Sequence, residues 1–260
     1  MTVDVSKLER IPCGPSAQKV AQRSYDLLFD LLDGLTPEQW QLPTGYYDWT
    51  VRDTVAHLHG MARAYASIRD RAEQEGRARA LAREEGLSEA AALVAVQIRE
   101  MADLPDGQVL TRLRLLAPRA VAGDVARRRW FGDQHVPQRP LGPATDDQRP
   151  IRPLEAYSNV SLARDVWVHR IEIAQACGRA PVWDEAADGA LLEDLVVDWF
   201  EHVASPAELH LTGPTDLTVS NRPGGPTLRL DAWDLVRLAS GREPLGPVPD
   251  DPLVRTRLDF

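Results

Sequence analysis

The strongest constraint on this chain is the segment Ser158 to Gly178, which combines a helical period with two metal-ligating side-chain types one turn apart. Leu162, Val166, His169, Ile173 and Ala176 recur at steps of four, three, four and three, the spacing of one helical face. The segment is therefore expected to form a single amphipathic helix. Asp165 and His169 stand four apart, so their side chains meet at the edge of the apolar stripe. A carboxylate and an imidazole so placed can share one divalent cation. Equally, they can form an intrahelical hydrogen-bonded pair that orients a core histidine. The candidate for a third ligand is His57, far upstream in the run from Trp49 to Leu58.

Thr50, with Asp53 three residues on, reads as the cap of a helix running to about Glu73. Its apolar arc passes through Val51, Val55, Leu58, Met61, Ala62, Tyr65 and Ile68. By the helical period His57 borders that arc and points inward, whereas His59 falls outside it and is expected to face solvent. Further helices are predicted over Pro15 to Leu35, after Ser88, from Gln108 to Leu116 before Pro118, from Glu185 to Val203 and from Asp231 to Ser240. Arg69 to Glu85, rich in Arg, Glu and Ala, reads as a solvated helical extension or a turn between helices. Residues 119 to 157 read as an irregular connection, and His135 within it has no partner at ligand spacing.

Short strands are predicted at Glu208 to Leu211, Leu217 to Ser220 and Thr227 to Leu230, separated by Gly/Pro turns. This shift from long helices to short strands places a boundary near residue 181. Two domains are expected, 1–181 helical and 182–260 α/β, an α+β chain overall.

A net charge of −9 disfavours a phosphate-backbone partner, so no nucleic-acid role is expected. No apolar run approaches the roughly 18 residues needed to cross a bilayer, and the first residues lack a signal-peptide core. The expectation is a cytoplasmic protein without a membrane partner. The two cysteines, Cys13 and Cys177, exclude a disulfide framework and a four-thiolate zinc site. Cys177, next to Gly178, reads as a small packed residue rather than a nucleophile.

Taken in order, the motifs resemble a known family. Leu35-Thr36-Pro37-Glu38-Gln39-Trp40, then Trp49-Thr50-Val51-Arg52-Asp53 running into Ala56-His57-Leu58, is similar to the start of the mycothiol-dependent maleylpyruvate isomerase family, a branch of the DinB-like metal-binding four-helix bundles. Arg164 to Ala174, ending at Gly178-Arg179, looks like its second signature, and Asp231 to Arg242 is similar to the end of its small C-terminal α/β domain. The resemblance implies an N-terminal DinB-like four-helix bundle with a smaller C-terminal domain. It implies a divalent metal, zinc, held by His57, Asp165 and His169. It also implies mycothiol, a low-molecular-weight thiol of actinobacteria, as the cofactor, and a small electrophilic, acidic metabolite as the substrate. The activity would be isomerisation or S-transfer, and the rival reading is a non-catalytic metal or small-molecule binding protein on the same bundle.

Asp165 replaces a glutamate found at this position in the best characterised member, a side chain shorter by one methylene, about 1.5 Å of reach. An arginine of the second domain, Arg222, Arg229 or Arg242, is expected to hold the acidic substrate bidentately.

Overall fold

The computed structural model describes residues 2–46, 48–131, 135–137, 151–153, 159–203 and 205–258, with side chains described at all but 124–131, 135–137, 151–153 and 159. In chain order the elements are β1 (Thr2–Asp4), α1 (Pro15–Asp33), α2 (Val51–Ala66), α3 (Ile68–Glu85), α4 (Glu89–Arg99), α5 (Asp106–Phe131), β2 (His135–Pro137), β3 (Ile151–Pro153), α6 (Asn159–Ala176), α7 (Ala190–His202), β4 (Glu208–Thr212), β5 (Leu217–Ser220), β6 (Thr227–Asp231) and α8 (Ala232–Ala239). The chain is α+β, a helical bundle with a small C-terminal α/β domain. It divides into two compact units, Cys13–Pro181 and the pair of segments Met1–Pro12 and Val182–Phe260.

In the first unit α1, α5, α2 and α6 pack in that cyclic order, each against its two neighbours, a four-helix bundle. Helices α3 and α4 pair with each other and both lie against α2. Helix α2 starts where the sequence places it, because Thr50 Oγ1 accepts from the Asp53 N–H at 3.2 Å while the Asp53 carboxylate accepts from the Thr50 N–H at 3.0 Å. It ends earlier than Glu73. Ser67 turns to extended backbone (φ −151°, ψ 122°) and caps α3 by accepting from the Asp70 N–H, so the predicted extension is a separate helix. Because α2 is surrounded by α3, α4, α5 and α6, its buried residues run almost continuously from Val51 to Ala62.

Helix α5 also departs from expectation. It continues through Pro118 to Phe131, where the sequence suggested an end before the proline. Pro118 and Arg114 both lie on an exposed face, so the one helical hydrogen bond that a proline cannot donate is lost at the surface. At Gly123 the same helix approaches α2 so closely that a Cβ would stand 2.2 Å from the Tyr65 carbonyl oxygen. The part of the connection after Phe131 contains β2 paired antiparallel with β3. Residues 132–134, 138–150 and 154–158, and the side chains of Trp130, Phe131 and His135, lie outside the described residues.

The second unit holds a mixed sheet of order β1-β5-β4-β6, in which β4 and β5 are antiparallel and the two flanking pairs parallel. Strand β1 was not anticipated, and it joins the first residues to the C-terminal unit through the register Thr2 to Thr218. Arg10 and Asp198 then pair at 2.6 Å, and the Ile11 N–H donates to the buried Asp194 at 3.0 Å. Leu191, Leu195, Trp199, Leu209, Leu211, Leu228, Leu230 and Leu235 make up much of this unit's core.

Candidate metal centre

Helices α2 and α6 are neighbours in the bundle, and they bring His57, Asp165 and His169 together. One ligating atom from each lies within 4.8 Å of the others. Asp165 Oδ1 stands 3.8 Å from His57 Nε2 and 3.4 Å from His169 Nε2, and the two imidazole centroids are 5.2 Å apart. His57 and His169 are buried, 7% and 1% exposed, and Asp165 between them is half-buried. Asp165 Oδ2 is buried without a hydrogen-bond partner among the described residues. His59 is absent from this trio, as the helical period predicts, yet it is not solvent-facing: it is 6% exposed, because no side of α2 there is free.

The far nitrogen of each imidazole is also engaged. His169 Nδ1 lies 2.6 Å from Glu172 Oε2, one turn along α6, and Glu172 is fully buried. His57 Nδ1 lies 2.8 Å from Gln97 Oε1 on α4. With oxygen acceptors at both Nδ1 positions, the tautomer protonated on Nδ1 would leave both Nε2 atoms, which face Asp165, free to ligate a cation. A loop closed by the Pro43 to Thr50 bridge, with the Thr44 N–H donating to the Trp49 carbonyl at 2.9 Å, carries two aromatic rings over the pair. The Trp49 ring centroid is 5.2 Å from His57 and 6.0 Å from His169, and Tyr46 is 6.2 Å from His169.

The electrostatics follow from this crowding. Burial alone would raise the Asp165 carboxyl, but its contacts with His169 and His57 outweigh it and hold the group well below the usual carboxylate range. Burial would depress His169, but Glu172 and Asp165 outweigh it and raise the imidazole. Tyr25 on α1, fully buried, is pushed well above the usual phenol range by burial and by the charge of Asp165. Its hydroxyl, like Asp165 Oδ2, has no hydrogen-bond partner among the described residues. Elsewhere, burial raises the Cys177 thiol against the opposing pull of Arg179, which suits a packed residue rather than a nucleophile.

Sequence reasoning missed Glu172, Gln97, Gln74 and Tyr25. Only Glu172 carried a local signal, an acid three residues after a histidine on the same helix. Arg222, Arg229 and Arg242 all belong to the second unit. Arg229 faces a cavity of about 480 Å³ together with Asp231 and Trp233, whereas Arg242 donates to the Ser240 carbonyl at 3.1 Å.

The fold and the trio define a class, a helical bundle in which two buried imidazoles and one half-buried carboxylate are brought together. The chain belongs to the family described as the mycothiol maleylpyruvate isomerase N-terminal domain, whose model matches residues 22–174. A crystal structure of a histidine-to-alanine mutant of the mycothiol-dependent maleylpyruvate isomerase is similar to it, with a TM-score of 0.56, 15% sequence identity, and coverage of 96% of this chain and 99% of that one. The crystal structure of the mycothiol-dependent maleylpyruvate isomerase without that substitution gives 0.55 at 16% identity over the same shares. At such identities the likeness is one of fold. No curated protein matches the chain significantly. No helix among the described residues is long and apolar enough to cross a membrane.

Proposed function

We propose that this protein is a mycothiol-dependent isomerase or thiol S-transferase, in which His57, Asp165 and His169 hold a divalent cation, zinc, and the substrate is a small, electrophilic, acidic metabolite. One observation carries the reading. Glu172 already engages the opposite ring nitrogen of His169, so Asp165 is not needed to orient that ring, and it stands between the two Nε2 atoms with its own Oδ2 unpaired. Burying a carboxylate in that state is costly unless a cation compensates it.

The donor set suits zinc. Ligand bonds of about 2.0 to 2.2 Å at tetrahedral angles put donor atoms about 3.4 Å apart. The separations of 3.4 and 3.8 Å around Asp165 Oδ1 are close to that spacing. Three protein donors leave a fourth position, at which the bound cation would acidify an incoming thiol to the thiolate at neutral pH. The chain's own residues would do the rest. Glu172 and Gln97 hold the imidazoles in the ligating tautomer, and Trp49 and Tyr46 screen the donors from bulk water.

Metal analysis of the purified protein, followed by titration with mycothiol, tests this reading. Stoichiometric zinc whose absorption or X-ray edge changes on thiol addition is expected. A protein without metal, or one whose metal ignores the thiol, would sink it.

A further inference from the structure

The bundle buries two glutamines, Gln74 on α3 and Gln97 on α4, each 1% exposed. On α3 the only other buried residue is Ala78. A buried primary amide is a poor packing element, since a leucine or methionine would fill the space without the desolvation cost that the amide must recover through hydrogen bonds. The two glutamines recover it from each other and from the candidate metal centre.

Gln74 Nε2 donates to the Gly60 carbonyl at 3.1 Å, Gln97 Nε2 donates to Gln74 Oε1 at 3.0 Å, and Gln97 Oε1 faces His57 Nδ1 at 2.8 Å. An amide side chain can turn either end toward a neighbour, so its direction has to be set by something that cannot turn. Here that group is the Gly60 carbonyl, which only accepts. It forces the NH₂ of Gln74 toward itself, hence the oxygen of Gln74 toward Gln97, the NH₂ of Gln97 toward Gln74, and the oxygen of Gln97 toward His57. The imidazole must then carry its proton on Nδ1. Reversing the relay would move that proton to Nε2 and close the nitrogen that faces Asp165. Gly60 has a second part in this, because a Cβ there would stand 2.3 Å from Gln97 Cγ, so the missing side chain makes room for the stem of Gln97.

We propose that Gln97 is a positioning residue that, polarised by Gln74 and the Gly60 carbonyl, fixes His57 in the tautomer whose Nε2 is open toward Asp165 and His169. This rests on the reading of that trio as a cation site.

Two measurements test it. The first is zinc affinity by competition with a chromophoric chelator, comparing wild type, Gln97→Met, which keeps the shape and removes the acceptor, and Gln97→Glu, which keeps an acceptor oxygen. Partners of metal-bound histidines are worth roughly 10–100-fold in affinity. A loss of that size in Gln97→Met with unchanged far-UV circular dichroism, largely restored in Gln97→Glu, is expected. Equal affinity in wild type and Gln97→Met overturns the proposal. If Gln97→Met does not fold, Gln74→Met carries the same comparison, because it frees the amide of Gln97 to turn.

The second measurement is the nitrogen-15 spectrum of the His57 ring in metal-free wild type at alkaline pH. It needs neither a variant nor metal. A proton on Nδ1 is expected, and a proton on Nε2 overturns the proposal even where zinc is bound. Should the wild type bind no zinc at all, the functional reading fails while this spectrum still decides the positioning of His57.

Discussion

Asp165 separates the catalytic reading from a purely structural one at the scale of a single side chain. Asp165→Ala removes a donor and a charge together, so zinc content should fall while helicity stays nearly constant. Asp165→Glu should retain the metal. Stoichiometric zinc in both wild type and Asp165→Ala, measured by elemental analysis, would mean that other residues complete the site. His59 gives a second residue-level prediction, through acid stability. Burial, with Arg63 adding to it, Glu100 opposing and Arg112 adding again, lowers its pKa from 6.5 to about 4. Between those values the unfolded chain takes up a proton that the folded chain refuses, so stability falls as pH drops from 6.5 to about 4 and this contribution is flat below. Urea denaturation across that range should show a shallower acid loss in His59→Gln than in wild type. Equal slopes would show that His59 does not titrate on unfolding. Asp165 and His169 could be paired from sequence because a helix repeats every 3.6 residues. The burial of His59 could not, since periodicity assumes one open face and α2 has none there.

The elements show a similar division between local and tertiary signals. Helix α2 was legible at its start, where Thr50 and Asp53 cap it, and illegible at its end. There Ser67 breaks a sequence whose propensity would continue, and the hairpin of α3 and α4 turns back onto α2. That hairpin delivers Gln74 and Gln97, so neither residue's role had any spacing signal to betray it. Helix α6 was expected to be amphipathic, yet Leu162 to Ala174 is buried on nearly every side, including Arg164, Arg170 and Glu172. Helix α5 inverts the usual rule that a proline ends a helix. Because Pro118 sacrifices one hydrogen bond on an exposed face, Pro118→Ala should raise the unfolding free energy by about 1 to 3 kcal/mol. Chemical denaturation would show this as a higher midpoint with unchanged slope. A lower midpoint would mean that the proline fixes a kink the bundle needs.

On the scale of the whole chain, the C-terminal unit uses both ends of the sequence. Three residues, Thr2–Asp4, form an edge strand too short for any alternation to announce it, and Arg10 and Ile11 are tied to Asp198 and Asp194 of α7. Removing residues 1–12 should therefore lower the thermal midpoint of the C-terminal unit while leaving the ligand trio intact, which limited proteolysis and zinc analysis of the same sample can separate. If the truncated chain resists protease as the full chain does, the strand is dispensable.

The division into Cys13–Pro181 between Met1–Pro12 and Val182–Phe260 also sets a timetable for synthesis. Strand β1 is translated more than two hundred residues before its pairing partner, Thr218–Ser220. At roughly 5 to 20 residues per second that is a wait of about ten to forty seconds. Throughout it the leading dozen residues must remain unpaired while the entire bundle has time to form behind them. Relocating that dozen to the C-terminus by circular permutation would remove the wait, and the yield of soluble protein from the permuted gene would measure what the delay costs the cell.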